Sequence, residues 1–149
     1  MAQIATAGYD FACANRLPLG HRLMNENEVV SAIREHLEGL FPKTCGTCGR
    51  RYRSLREYIT ETTPVGPPMS YDADARNWAP ESPIGAVVFA NCECGSTLGL
   101  TNDGMPRDRL LAVMDWLKSE VQGRRVTPST ILAELRERVR QSVSDQHRD

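Results

Sequence analysis

Two short segments decide how this chain is read: Cys45-Gly46-Thr47-Cys48-Gly49 and Cys92-Glu93-Cys94-Gly95. Two cysteines separated by two residues sit on one tight turn and present both sulfurs to a single ion. The second pair is tighter, with one residue between its cysteines. Each pair ends in Cys-Gly, and glycine in that place permits the positive φ that turns backbone N–H groups back toward the sulfurs. Zinc takes four soft thiolates tetrahedrally, so Cys45, Cys48, Cys92 and Cys94 read as one structural Zn2+ site. Four thiolates close the shell and leave no position for a catalytic water. Two other chemistries use the same residues. Cys45 and Cys48 form a possible redox dithiol, but the strand, motif and long helix of a thioredoxin-like setting are missing. Thiolates also suit an iron–sulfur or single-iron site. Cys13 reads as a lone thiol, and His21 and His36 are spare ligands if one cysteine stays unbound.

The elements follow outward from the two pairs. Upstream, Asn25 and Glu28 form a capping-box pattern. Val29, Val30, Ile33, Leu37, Leu40 and Phe41 then recur at helical spacing until Pro42 stops the helix. His36 borders that apolar face and reads as a partly buried or edge histidine. Residues 1–24 show no period, and Pro18 and Gly20 argue for irregular structure. Downstream of the first pair, Ser54-Leu55-Arg56-Glu57 opens a short helix from Leu55 to Glu61. Residues 63–83 hold Pro64, Pro67, Pro68, Pro80 and Pro83 and read as a long, mostly structureless loop, with Tyr71 and Trp78 pinned to the core. Ile84–Asn91 and Ser96–Thr101 read as strands, which makes the second cysteine pair the tip of a β-hairpin. Pro106 starts a helix with the stripe Leu110, Val113, Met114, Leu117 and Val121, ended by Gly123. Thr127-Pro128 starts the last helix, with the stripe Ile131, Leu132, Leu135, Val139 and Val143 and a frayed tail from Ser144. The expected fold is therefore α+β. A hairpin and a zinc knuckle pack with an N-terminal helix and a C-terminal antiparallel helical pair. Residues 1–101 form the metal-binding part, and 102–149 a helical hairpin on the same core.

A knuckle at Cys45–Gly49 facing a hairpin over Val87–Leu100 resembles the zinc-ribbon group of four-cysteine zinc-binding domains. The resemblance covers about a third of the chain and implies a structural zinc between knuckle and hairpin. The 43 residues between Cys48 and Cys92 exceed a minimal ribbon, so a helix and a loop must fill them. Ribbon domains include nucleic-acid binders, protein-interaction modules and enzyme appendages, so the group does not fix the function.

Composition narrows the classes. At 149 residues and 40% apolar, with five cysteines and nine prolines, the chain gains from a metal staple. Net charge is −1 and evenly spread, which removes the whole-domain basic footprint of a nucleic-acid binder. No apolar run is long enough to span a membrane, and the N-terminus has no basic signal region, so a reducing cytoplasm is the expected location. No Ser-His-Asp spacing, phosphate-cradling glycine loop or HExxH occurs. The expected role is a non-catalytic protein-interaction or regulatory module, acting on a protein partner or by self-association. The alternatives are a nucleic-acid-binding ribbon using Arg50, Arg51, Tyr52, Arg53 and Arg56, and a thiol redox sensor.

Overall fold

The structure, a computed structural model, describes residues 22–146. Cys13, His21 and nearly all of the N-terminal stretch expected to be irregular lie outside the described residues. Helix α1 (Glu26–Glu38) begins as its sequence predicts: Asn25 Oδ1 accepts from Glu28 N at 3.0 Å, and Glu28 Oε2 accepts from Asn25 N at 2.8 Å. Two minimal strands, β1 (Lys43–Thr44) and β2 (Arg51–Tyr52), pair antiparallel and carry the first cysteine pair between them. Helix α2 (Leu55–Glu61) follows, with Ser54 capping Glu57 N.

Residues 63–83 are not a structureless loop. Thr63–Ser70 is strand β3, and Tyr71–Asp74 is a short helix, α3. Strand β3 pairs with β4 (Ala86–Asn91), which pairs with β5 (Thr97–Thr101), giving an antiparallel sheet in the order β3-β4-β5. Three prolines in β3 concealed it. Proline cannot donate to a ladder, but an edge strand tolerates that on its open side. A register shift between Val65 and Met69 absorbs the irregularity. Helix α5 (Pro128–Asp145) covers the edge, with Arg136 Nη1 donating to the Gly66 carbonyl at 2.8 Å and Ser129 Oγ to the Pro68 carbonyl at 3.1 Å. Trp78 packs against the core as expected, whereas Tyr71 is exposed.

The two C-terminal helices contact each other and α1. Helix α4 (Arg107–Arg124) runs through Gly123, and Arg125 takes the left-handed turn at φ 54° instead. Arg124 grips Glu134 of α5 with both Nη atoms, at 2.6 and 2.8 Å, which holds the last turn of α4 against its neighbour. Helix α5 ends at Asp145, within a residue of the expected start of the polar tail at Ser144. Its stripe of Ile131, Leu132, Leu135, Val139 and Val143 is wholly buried. In α4 the buried set adds Trp116 to the expected face, and Val121 is only partly buried, because α1 and α5 both pack on this helix. One hydrophobic cluster joins α1, α2, the sheet, α4 and α5.

Asp72 in α3 is buried, and one carboxylate oxygen accepts from both Ile84 N and Gly85 N at 2.8 Å. It closes the irregular stretch between α3 and β4. Asp72→Ala leaves buried N–H groups without an acceptor and is expected to lower unfolding free energy by about 1–3 kcal/mol, read by urea denaturation. Gly123→Ala acts oppositely. Its φ is not left-handed and nothing lies near a built Cβ, so relief of backbone entropy should stabilise by roughly 0.5–1 kcal/mol in the same assay.

Candidate metal centre

Both cysteine pairs sit at hairpin tips built by the same backbone logic. In the first, Cys45 N donates to the Arg50 carbonyl at 2.8 Å and Gly49 N to the Cys45 carbonyl at 2.9 Å. In the second, Cys92 N donates to the Ser96 carbonyl and Gly95 N to the Cys92 carbonyl, both at 2.8 Å. Gly49 and Gly95 adopt φ of 75° and 89°, the conformation the sequence reserves glycine for. The turns leave Cys45 and Cys92 buried beneath Cys48 and Cys94, which are exposed.

The two tips face one another, and all four sulfurs lie within 4.8 Å of each other. Cys45 Sγ is 3.7 Å from Cys94 Sγ, and Cys48 Sγ is 3.6 Å from Cys92 Sγ. A tetrahedron with metal–sulfur bonds of about 2.3 Å has edges of about 3.8 Å. These two opposite edges match it, so the donor set fits a single tetrahedral ion. Separations this short are too small for a four-iron cluster, whose cysteines stand farther apart around its corners.

The surroundings favour the thiolate at Cys45 and Cys92 but not at Cys48. Backbone N–H groups of Cys48 and Thr47 aimed at Cys45 Sγ hold that thiol down to about 6. The Tyr52 hydroxyl donates to Cys92 Sγ at 3.0 Å and, with Cys94 N–H, lowers Cys92. Donation to sulfur, together with burial, raises Tyr52 itself. At Cys48 the Arg50 N–H also favours the thiolate, but burial and the three neighbouring sulfurs outweigh it and push the thiol up to about 11. Four sulfurs this crowded resist being thiolates together, and a cation at their centre removes that penalty.

Tyr52 also ties the site to the core. It is fully buried and meets Tyr58 edge-on at 5.5 Å, and Tyr58 meets Phe41 at 5.7 Å. The sequence placed Tyr52 in a stacking surface with Arg50, Arg51, Arg53 and Arg56. In the structure its ring is buried. Arg50 lies 5.5 Å from that ring and pairs with Glu61 of α2 and Glu93 of the second tip. Arg51, Arg53 and Arg56 are exposed. His36 is remote from the sulfurs, and its Nε2 donates to the Thr101 carbonyl at 3.2 Å. The role of Tyr52 was hidden because its partner sulfur is 40 residues away.

Comparison of the chain with protein-family models, with curated proteins and with solved structures returns no match.

Tyr52→Phe keeps the ring and deletes the O–H to Cys92. It is expected to weaken metal binding by roughly 10-fold or more while leaving the fold intact, read by competition with a chromophoric chelator. Thiols must shed their protons to bind, so acid competes with metal. Affinity and the stability it adds should fall as pH is lowered below neutral, followed as metal release and melting temperature across a pH series.

Proposed function

We propose that this chain is a zinc-stabilised interaction or regulatory module of zinc-ribbon type, without catalytic activity of its own. Cys45, Cys48, Cys92 and Cys94 would hold a structural Zn2+. The observation that carries this reading is the tetrahedral spacing of four cysteine sulfurs at two facing hairpin tips. A shell of four thiolates spends every coordination position on the protein, which suits a staple and leaves no place for substrate. The metal-binding part, 1–101, and the helical part, 102–149, then act as one platform for a protein partner or a second copy.

The stripe of α5 is buried and that of α4 largely so, and the surface that supports an interaction role lies on the sheet. Strand β4 is apolar on both faces. Its outer face carries Phe89, which is 38% exposed and paired across the sheet with Val65, also 38% exposed. Side chains opposite each other in neighbouring strands share a face. The ring lies over Gly99, where a built Cβ would come within 3.4 Å of Phe89 Cε1. The continuous run Val87-Val88-Phe89-Ala90 was the signal in the sequence. A solvated sheet face calls for alternation, and this strand has none.

The test is metal content of the purified chain with a ligand count by X-ray absorption, expected at one zinc with four sulfurs. Cys92→Ser should lose the metal and much of the fold. Full metal content and an unchanged melting temperature in that variant would sink the assignment. A concentration series by light scattering, repeated with Phe89→Lys, separates self-association from binding to another chain. A second reading, thiol redox sensing, is favoured by the exposure of Cys48 and Cys94. Metal release at a modest peroxide dose supports it, and thiols left unmodified remove it.

A further inference from the structure

A pocket of about 530 Å3, partly open to solvent, lies between the inner face of the sheet and helices α1, α2, α4 and α5. Its walls include Leu37, Tyr58, Val88, Leu100, Met114 and Leu132. Ligand pockets run from roughly 300 to 1,000 Å3, and this one falls inside that range.

The polar groups along its walls decide what fits. The Tyr58 hydroxyl donates to the Leu98 carbonyl at 3.2 Å, and Thr62 Oγ1 donates to the Tyr58 carbonyl at 2.6 Å. Ser70 Oγ accepts from Ala73 N at 3.3 Å, and Asn102 Oδ1 accepts from Ala86 N at 3.0 Å. Among the described residues no buried side-chain nitrogen or oxygen lacks a partner. A buried water needs two to four polar partners, and a sugar or nucleotide needs more. The interior therefore suits an apolar body.

Charge is confined to residues of α5, where Arg136, Glu137 and Arg140 line the cavity. Arg140 is committed to Glu137 by two hydrogen bonds, at 2.9 and 2.7 Å. Arg136 is different. It donates to the neutral Gly66 carbonyl, and among the described residues it joins no ion pair. A guanidinium has five N–H donors in a fork that matches a carboxylate, so the bond to Gly66 leaves donors to spare.

We propose that this cavity binds a small amphiphile, an unbranched aliphatic carboxylate, with its chain among the apolar walls and its carboxylate on Arg136. The site is separate from the four sulfurs and goes beyond the proposed staple role. A ligand here bridges the sheet to α4 and α5, so its binding stabilises the packing of the helical pair on the sheet.

The experiment titrates the metal-loaded full chain with decanoate below its micelle-forming concentration, by calorimetry and by displacement of anilinonaphthalene sulfonate. Saturable binding at one decanoate per chain is expected, and its absence in cooperatively melting protein overturns the proposal. Val113→Phe fills the cavity and should weaken binding at least tenfold with the melting temperature kept or raised. If that variant does not fold, Ala90→Leu fills the same space from the sheet side. Undiminished binding by a folded cavity-filling variant overturns the site. Arg136→Gln should weaken decanoate about tenfold and leave decanol unchanged, and equal decanoate affinity in that variant overturns the assignment of the carboxylate.

Discussion

Four cysteine sulfurs gathered within 4.8 Å are the constraint on which the rest of this structure depends. They join two hairpin tips that local structure alone does not hold. Strands of two residues, such as β1 and β2, have too few ladder bonds and too little buried surface to persist by themselves. Their register matters only because it delivers Cys45 and Cys48 opposite Cys92 and Cys94. The segment between the two tips spans β2, α2, β3, α3 and β4, yet loop-closure entropy rises only slowly with length. A long connection is therefore tolerated where a long unpaired strand is not.

The site is coupled to the core through specific groups. Tyr52 has its hydroxyl on Cys92 and its ring against Tyr58, so one side chain serves both the sulfur cluster and the hydrophobic cluster. Arg50 reaches two carboxylates on different elements, Glu61 and Glu93, across the same ring. These ion pairs are partly exposed and individually weak. Their value is geometric, since they orient the first tip against α2 and against the second tip. The same economy appears at the sheet edge. There α5 supplies side-chain donors to the carbonyls of a strand whose prolines have no N–H to offer.

Layering explains both surfaces that carry functional readings. Strand β4 lies at the centre of the sheet, apolar on both faces, with its inner face toward the helices and its outer face carrying Phe89. Helix α5 is the common neighbour, packing on α1, α2, α4 and β3. It both covers the strand edge and lends Arg136 to the apolar cavity. None of the four cysteines is among the residues that line the cavity.

Much of this was legible in the amino-acid sequence, and the reasons are local. Asn25 and Glu28 announced α1, Thr127 and Pro128 announced α5, and the buried stripe of α5 matched its periodicity residue for residue, because capping and helical period act within a few positions. The Cys-Gly pairs marked their own turns for the same reason. The strand at Thr63–Ser70 was not legible, since its prolines are acceptable only once a sheet edge and a covering helix exist. Gly123 stayed helical because the Arg124–Glu134 grip on the last turn of α4 outweighs a small local propensity. Tyr52 and Arg50 took inward and bridging roles that no spacing encodes, their partners lying 40 and 43 residues away. By itself, then, the sequence determined helices α1, α2, α4 and α5, the hairpin and which four thiols belong together. The tertiary structure decided the third strand, the bonding around the sulfurs, the exposed face of β4 and the cavity, because each depends on contacts between segments far apart in the chain.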